Sequence, residues 1–296
     1  MLVYFITMIM SHNFYKKYKK EIDRFIDQAL IEDIENLDHT SKACLDDDLI
    51  SSAKLEVKED CIIAGIDLAE KIYFKIDSSI KVTPFSRDGN KLTKGSIAFT
   101  VKGPAKSLLA SERLVLNCMQ KMSGIASLAN HFNKKINHTN CKILDTRKTT
   151  PGFRYPEKWA VSIGGGYNHR MGLFDAIMVK DNHVDFCGGM EKALIKIKCY
   201  LDKSKFKIPV IVEVRNEDEI EIVMGFPWVK RILLDNMTPS KLSEKLSCIN
   251  NAFETEASGN INSDNLIQFA ETGVNFISMG VLTHSAKNID MSLKAL

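Results

Sequence analysis

The chain has 296 residues, 45% of them hydrophobic and 26% charged, and its 40 lysines and arginines against 37 aspartates and glutamates leave a net charge of +3. That is long enough for one large domain or two medium ones around a sizeable core, with the composition of an ordinary soluble globular protein. A balance so near neutral excludes nucleic acid or an anionic membrane surface as a bulk electrostatic partner, so any recognition of charge must come from a local cluster.

The first ten residues, MLVYFITMIM, form an apolar extension. It is too short to span a bilayer, which takes roughly 20 residues, and it lacks the basic start and small-residue cleavage site of a signal peptide. We read it as a start codon assigned too early, with Met8 or Met10 the true start. The seven cysteines (Cys44, Cys61, Cys118, Cys141, Cys187, Cys199 and Cys248) are scattered and include no Cys-x-x-Cys pair. That pattern predicts reduced thiols in a cytoplasmic protein and speaks against zinc and disulfide frameworks.

Residues 14–35 carry apolar side chains at helical spacing, from Phe14, Tyr18 and Ile22 to Ile34, with a charged opposite face. Residues 38–45 read as a polar turn. Between 52 and 101 short β-like runs (53–57, 61–65, 80–82 and 97–101) are separated by Asp88-Gly89-Asn90 and Gly95, with one helix at 67–74. Gly103-Pro104 is the expected boundary, giving an α+β domain over 11–104. Residues 105–136 are again helical, with a methionine-rich core stripe broken near Ser123-Gly124.

From Asn140 onward the pattern is periodic. Apolar runs end at Asp145, Lys180, Glu213, Asp235, Glu256 and Gly280, roughly 20 to 35 residues apart, with helical or loop sequence between them. Units of this size with nearly all-apolar strands predict parallel β/α architecture over 105–296. An open α/β barrel and a doubly wound sheet both fit, and either gathers the loops after the strands at one mouth. The C-terminal end is expected to pack back on the N-terminal domain.

The strand ends carry the chemistry. Arg113, Arg147, Lys148, Arg170 and Lys180, with His169, would repel as a close cluster unless an anion joined them. Arginine forks suit carboxylates, so the expected ligand is a small polycarboxylate or a phosphate. Glu213 and Asp235, after Val-Ile-Val and Arg-Ile-Leu-Leu, are placed to hold Mg²⁺ through water, bind sugar hydroxyls or stabilise a developing positive charge. Ser258-Gly259-Asn260 and Met279-Gly280-Val281 have the glycines and donors of phosphate loops, each expected to open toward a helix N-terminus. Gly164-Gly165-Gly166 lacks dinucleotide spacing and reads as a tight approach to Asn168, His169 and Arg170.

In order, Asp145-Thr146-Arg147-Lys148-Thr149-Thr150-Pro151-Gly152, Gly164-Gly165-Gly166-Tyr167-Asn168-His169-Arg170, Lys180-Asp181-Asn182-His183, Glu213-Val214, Leu234-Asp235-Asn236-Met237, Glu256-Ala257-Ser258-Gly259-Asn260-Ile261 and Leu282-Thr283-His284-Ser285 resemble the quinolinate phosphoribosyltransferases, from about Ala29 to the C-terminus. The resemblance implies an α+β N-terminal domain on an incomplete α/β barrel. It implies a pentosyltransferase that joins quinolinate to 5-phosphoribosyl-1-pyrophosphate with Mg²⁺, giving nicotinate mononucleotide, pyrophosphate and CO₂ in NAD biosynthesis. Carried over, Thr146, Arg147, Lys148, His169, Arg170 and Lys180 bind quinolinate, and Arg113 reaches the pocket from the partner subunit of a homodimer or hexamer. Glu213 and Asp235 bind ribose and metal, with Lys148 also catalytic, and residues 258–260 and 279–281 bind phosphate. Asp38-His39-Thr40-Ser41 matches the family's Asp-x-Thr-Thr turn only loosely, and the apolar first ten residues are not a family feature. Three rivals predict different things: a nicotinate enzyme needs fewer cations, a lyase or aldolase would use Lys180 as a Schiff base, and an anion-binding regulator would not need Glu213 and Asp235.

Overall fold

The computed structural model describes residues 13–204 and 206–296, so the extension at residues 1–10 lies outside the described residues. In chain order the elements are α1 (Lys19–Ile34), α2 (His39–Cys44), β1 (Ile50–Val57), β2 (Cys61–Ile62), α3 (Ile66–Ile76), β3 (Lys81–Pro84), β4 (Lys91–Leu92), β5 (Ile97–Pro104) and α4 (Ala105–Lys135). There follow β6 (Lys142–Leu144), α5 (Arg154–Ile163), β7 (Ile177–Val179), α6 (Asp181–Cys187), α7 (Met190–Lys203), β8 (Val210–Val214), α8 (Glu217–Met224), β9 (Arg231–Asp235) and α9 (Pro239–Ile249). The chain ends with β10 (Glu254–Ser258), α10 (Leu266–Ala270), β11 (Phe276–Ser278), α11 (Val281–His284) and β12 (Met291–Ala295). It divides into two compact units: one holds the described residues up to His131 with Lys148–Gly166 and Leu282–Leu296, the other Phe132–Arg147 and Tyr167–Val281.

In the first unit an antiparallel sheet runs in the order β12-β1-β5-β3. Strand β1 buries Ala53, Leu55 and Val57 on one face, the alternation of a strand with one side on a core. The C-terminal strand β12 pairs with β1, Leu293 opposite Leu55. Residues 38–45 are not all turn: Asp38 caps α2, accepting from the Ser41 N–H at 3.0 Å, and so starts a helix that apolar periodicity alone does not announce. The division between the units does not fall at Gly103-Pro104. Pro104 ends β5 and α4 begins at the next residue, but the first unit keeps α4 through His131.

Helix α4 is continuous over 31 residues, through the Ser123-Gly124 gap in its apolar stripe. Gly124 is there for contact: a Cβ on it would stand 1.9 Å from the Lys287 carbonyl oxygen. The C-terminal segment runs along this helix, with Ile289 N–H donating to Gln120 O at 3.1 Å and Lys121 Nζ donating to Thr283 O at 3.0 Å. Gly124→Ala should therefore force that backbone away and destabilise the fold by about 1–3 kcal/mol despite alanine's better helix propensity. A lowered thermal midpoint checks this; an unchanged or raised one refutes it.

The second unit is a six-stranded parallel sheet in the order β6-β11-β10-β9-β8-β7. From β7 to β11 each strand pairs with its successor, so the chain winds one way without the reversal of a doubly wound sheet. β6 then pairs with β11 rather than β7. This is the winding of an α/β barrel left open between β6 and β7. Among the described residues, the other edge of β6 carries an isolated bridge from Leu144 to Tyr167. The segment that a closed barrel would use as a helical cover there, Lys148–Gly166, belongs to the first unit. There α5 is anchored by aromatic contacts to the N-terminal helical region, with Trp159 fully buried and stacked 5.8 Å from Phe14. The strands form because their apolar runs are wanted on both faces; every residue of β8 is buried.

Candidate active site

Parallel strands aim their C-terminal ends at one mouth. Here β6 leads into Asp145, Thr146 and Arg147, and β7 into Lys180; β8 carries Glu213 one residue before its end; β9 ends on Asp235, β10 on Ser258, and β11 leads into Met279, Gly280 and Val281. Thirteen of the fifteen residues singled out in the sequence thus fall in the second unit, while Arg113 and Lys148 belong to the first. Arg113 is exposed on α4, and the Lys148 carbonyl accepts from the Thr283 hydroxyl at 2.7 Å.

The cation-bearing segment 167–170 is held by a residue that the sequence reading gave no role. Asp145 is fully buried, and its carboxylate accepts from the His169 N–H at 2.8 Å and Asn168 Nδ2 at 2.7 Å. His169 Nδ1 in turn accepts from the Arg170 N–H at 2.7 Å. Arg170 donates to the Ala176 carbonyl at 3.2 Å. Its hold on its proton is weakened by burial and by the charge of Arg147, with Asp175 working the other way. Two guanidiniums that disfavour each other are an invitation to an anion.

Beneath this segment lies a buried charge network. His169 Nε2 faces Glu256 Oε2 at 3.3 Å, and Arg231 reaches the same oxygen at 2.9 Å while also bonding Glu254 at 3.0 Å. The Arg231 guanidinium lies 3.8 Å from the centre of the Phe276 ring. Burial pushes the Glu256 carboxyl up, but His169 and Arg231 outweigh it and hold the group below the usual carboxylate range. The sequence reading took Glu256 only as a strand end; nothing in an apolar run says which face a charged residue will take.

Next to the cations come the carboxylates. Lys180 Nζ donates to Glu213 Oε2 at 3.0 Å, and the lysine side chain is 47% exposed. A paired and half-exposed ammonium is the opposite of the desolvated amine that Schiff-base chemistry needs. Glu213 is level with Leu233 on β9, and Asp235 lies two residues further on, so both side chains leave the sheet on the same face. Among the described residues no three His, Cys, Asp or Glu side chains gather as a metal cage. Two carboxylates on neighbouring strands instead suit an ion such as Mg²⁺, which keeps waters and takes its remaining oxygens from substrate.

The glycine loops complete the mouth. Asn236, Gly259 and Asn260 all have left-handed backbone, with φ of 54°, 92° and 54°. Gly259 also has no room for a side chain, because a Cβ would stand 2.2 Å from Asn236 Oδ1. Met279 departs from expectation: its side chain is buried and its N–H donates to the Leu144 carbonyl at 2.9 Å, continuing the β6–β11 ladder. Gly280 and Val281 remain at the loop, and α11 starts directly at Val281. After Asn260 no helix opens at once; α10 begins only at Leu266, beyond a turn in which Asn262 N–H donates to Asn265 Oδ1 at 2.8 Å.

Comparison with known proteins bears on the family of the chain. Residues 38–123 match the family model described as quinolinate phosphoribosyl transferase, N-terminal domain, and residues 125–294 the corresponding C-terminal domain. The chain is 46% identical over 281 residues to the decarboxylating quinolinate phosphoribosyltransferase 2b, mitochondrial, of Nicotiana tabacum, covering 90% of this chain and 80% of that one. It is 35% identical over 273 residues to the probable carboxylating nicotinate-nucleotide pyrophosphorylase of Bacillus subtilis, covering 92% and 93%. The solved nicotinate-nucleotide pyrophosphorylase of Francisella tularensis superposes with a TM-score of 0.85 at 36% identity over 94% of this chain and 96% of that one. A human nicotinic acid phosphoribosyltransferase, at 9% identity and a TM-score of 0.58, shares the fold alone.

Proposed function

The chain belongs to the quinolinate phosphoribosyltransferase family, and from that premise we propose how its barrel mouth divides the work of the reaction. It is a pentosyltransferase of NAD biosynthesis: quinolinate and 5-phosphoribosyl-1-pyrophosphate become nicotinate mononucleotide, pyrophosphate and CO₂. The observation that carries the division is the order of charge around the strands. Cations stand beyond β6 and β7 at the two sides of the opening, carboxylates on β8 and β9, and glycine loops beyond β10 and β11.

Arg147, Arg170 and Lys180, with Lys148 and Thr146, take the two carboxylates of quinolinate, and Arg113 is supplied by a partner subunit in a homodimer or larger assembly. His169 joins this set next to Arg170, whose N–H its Nδ1 accepts. Glu213 and Asp235 face the ribose and would hold Mg²⁺, which would supply positive charge toward the pyrophosphate. Ser258, Gly259, Asn260, Gly280 and Val281 receive the 5-phosphate.

With both substrates so held, the ring nitrogen attacks the ribose C1 as pyrophosphate leaves, and Glu213 and Asp235 stabilise the positive charge that develops on the sugar. The alkylated nitrogen then draws the electron pair of the breaking carbon–carboxylate bond; CO₂ leaves, and the ring carbon takes up a proton. Lys148 contributes a charge to the pyridine side throughout. All seven cysteines are free thiols, which suits the reducing cytoplasm proposed for this enzyme, while plant relatives carry mitochondrial or chloroplastic names.

Incubating the folded protein with quinolinate, the phosphoribosyl donor and Mg²⁺ should yield nicotinate mononucleotide and CO₂ in equal amounts. Turnover of nicotinate in place of quinolinate, or no product from folded protein, overturns the reading.

A further inference from the structure

We propose that Asn236 is a positioning residue of the donor site, a bridge that fixes the ribose-facing carboxylate of Asp235 against the loop that receives phosphate. The proposal rests on the assignment of Asp235 and residues 258–260 to the phosphoribosyl donor. Asn236 follows the last residue of β9, and three of its polar groups reach the ends of β9 and β10. Its Nδ2 donates to Asp235 Oδ2 at 2.5 Å. Its Oδ1 accepts from Asn260 Nδ2 at 3.2 Å, and its N–H donates to the Ser258 carbonyl at 2.9 Å.

Two further features show that the loops are shaped around this side chain. Asn236 holds a φ of 54°, a conformation that costs most L-residues energy and that asparagine tolerates better than most. Gly259 packs its bare Cα against the Asn236 side chain, where any Cβ would meet Oδ1 at 2.2 Å and the Asn236 nitrogen at 2.9 Å. The amide also restricts the carboxylate. With one oxygen of Asp235 occupied by Nδ2, the other is left to face the ligand, and the separation between that oxygen and the Gly259-Asn260 backbone is set before the donor arrives. Preorganisation of this kind favours the transition state, where the donor must be held at both ends while its C1 changes partner.

The left-handed φ supplies a clean test. Asn236→Gly keeps the backbone conformation without strain and removes only the bridge. We expect the purified variant to keep a thermal midpoint near that of the wild type. Its KM for 5-phosphoribosyl-1-pyrophosphate should rise about 10-fold and its kcat fall about 10-fold, with KM for quinolinate changed less than about twofold. Adding Asn260→Gly, which removes the other end of the same contact, should cost less than the sum of the two single changes measured separately, because the bridge is lost only once. Wild-type kinetics in Asn236→Gly, equal impairment toward both substrates, or full additivity of the two changes would each overturn the bridge. Asp235→Asn, measured alongside, separates the two levels. If it is impaired toward the donor while Asn236→Gly is not, the bridge alone fails; if it too is unimpaired, the donor-site assignment fails.

Discussion

Arg147→Ala should raise KM for quinolinate by about 100-fold while leaving KM for 5-phosphoribosyl-1-pyrophosphate within about threefold. A hydrogen bond to a charged group is worth roughly 1.5–3 kcal/mol, and a tenfold change in affinity takes about 1.4 kcal/mol. Loss of one arginine fork from a carboxylate therefore accounts for about two decades. Arg147 and Arg170 already disfavour each other in the free protein, since the charge of Arg147 weakens the proton affinity of Arg170. A dianion relieves that repulsion, and its binding draws on both guanidiniums at once. Arg147→Lys keeps the charge but not the planar fork, so it should fall between wild type and alanine. Steady-state kinetics with each substrate varied at saturating levels of the other decide the matter. Equal weakening of both ligands would mean that the cations serve the mouth in general and not the pyridine dicarboxylate.

How much of this could be read from the sequence depends on whether a residue's job is local. The strand ends at Asp145, Lys180, Glu213 and Asp235 were legible because a parallel strand announces itself as an apolar run with a polar stop, and the stop marks the mouth. Closure was not legible. That β6 lies beside β11, about 130 residues away, and not beside β7, is set by packing and leaves no trace in either run. The reason for the gap in the apolar stripe at Gly124 was hidden because its partner, the Lys287 backbone, is also remote in sequence. Asp38 needed recognition as a cap rather than as one more polar residue. That the His169 Nδ1 accepts from the Arg170 N–H was not legible either. Arg231, Glu254 and Glu256 sat in plain view on neighbouring strands; only the register, with Glu254 opposite Arg231 and Glu256 opposite Leu233, reveals a shared interior face.

That interior network carries the largest expected effect on stability. Glu256 has no solvent exposure, and it faces both Arg231 and His169. Glu256→Ala should lower unfolding free energy by about 3–5 kcal/mol, because it leaves a mostly covered guanidinium with one partner fewer and His169 Nε2 without its carboxylate. Arg231→Met combined with Glu256→Leu should recover part of that loss, since removing both charges avoids stranding either. The pH dependence has a definite sign. The folded-state pKa of Glu256 lies below its ordinary value of 4.5, so its contribution is fully present above 4.5 and fades as pH falls through the lowered folded value. Denaturation of wild type and Glu256→Ala at a series of pH values should thus show a stability gap that is constant near neutrality and narrows only below 4.5. A gap that persists unchanged into acid would mean that the side chain's packing matters and its charge does not.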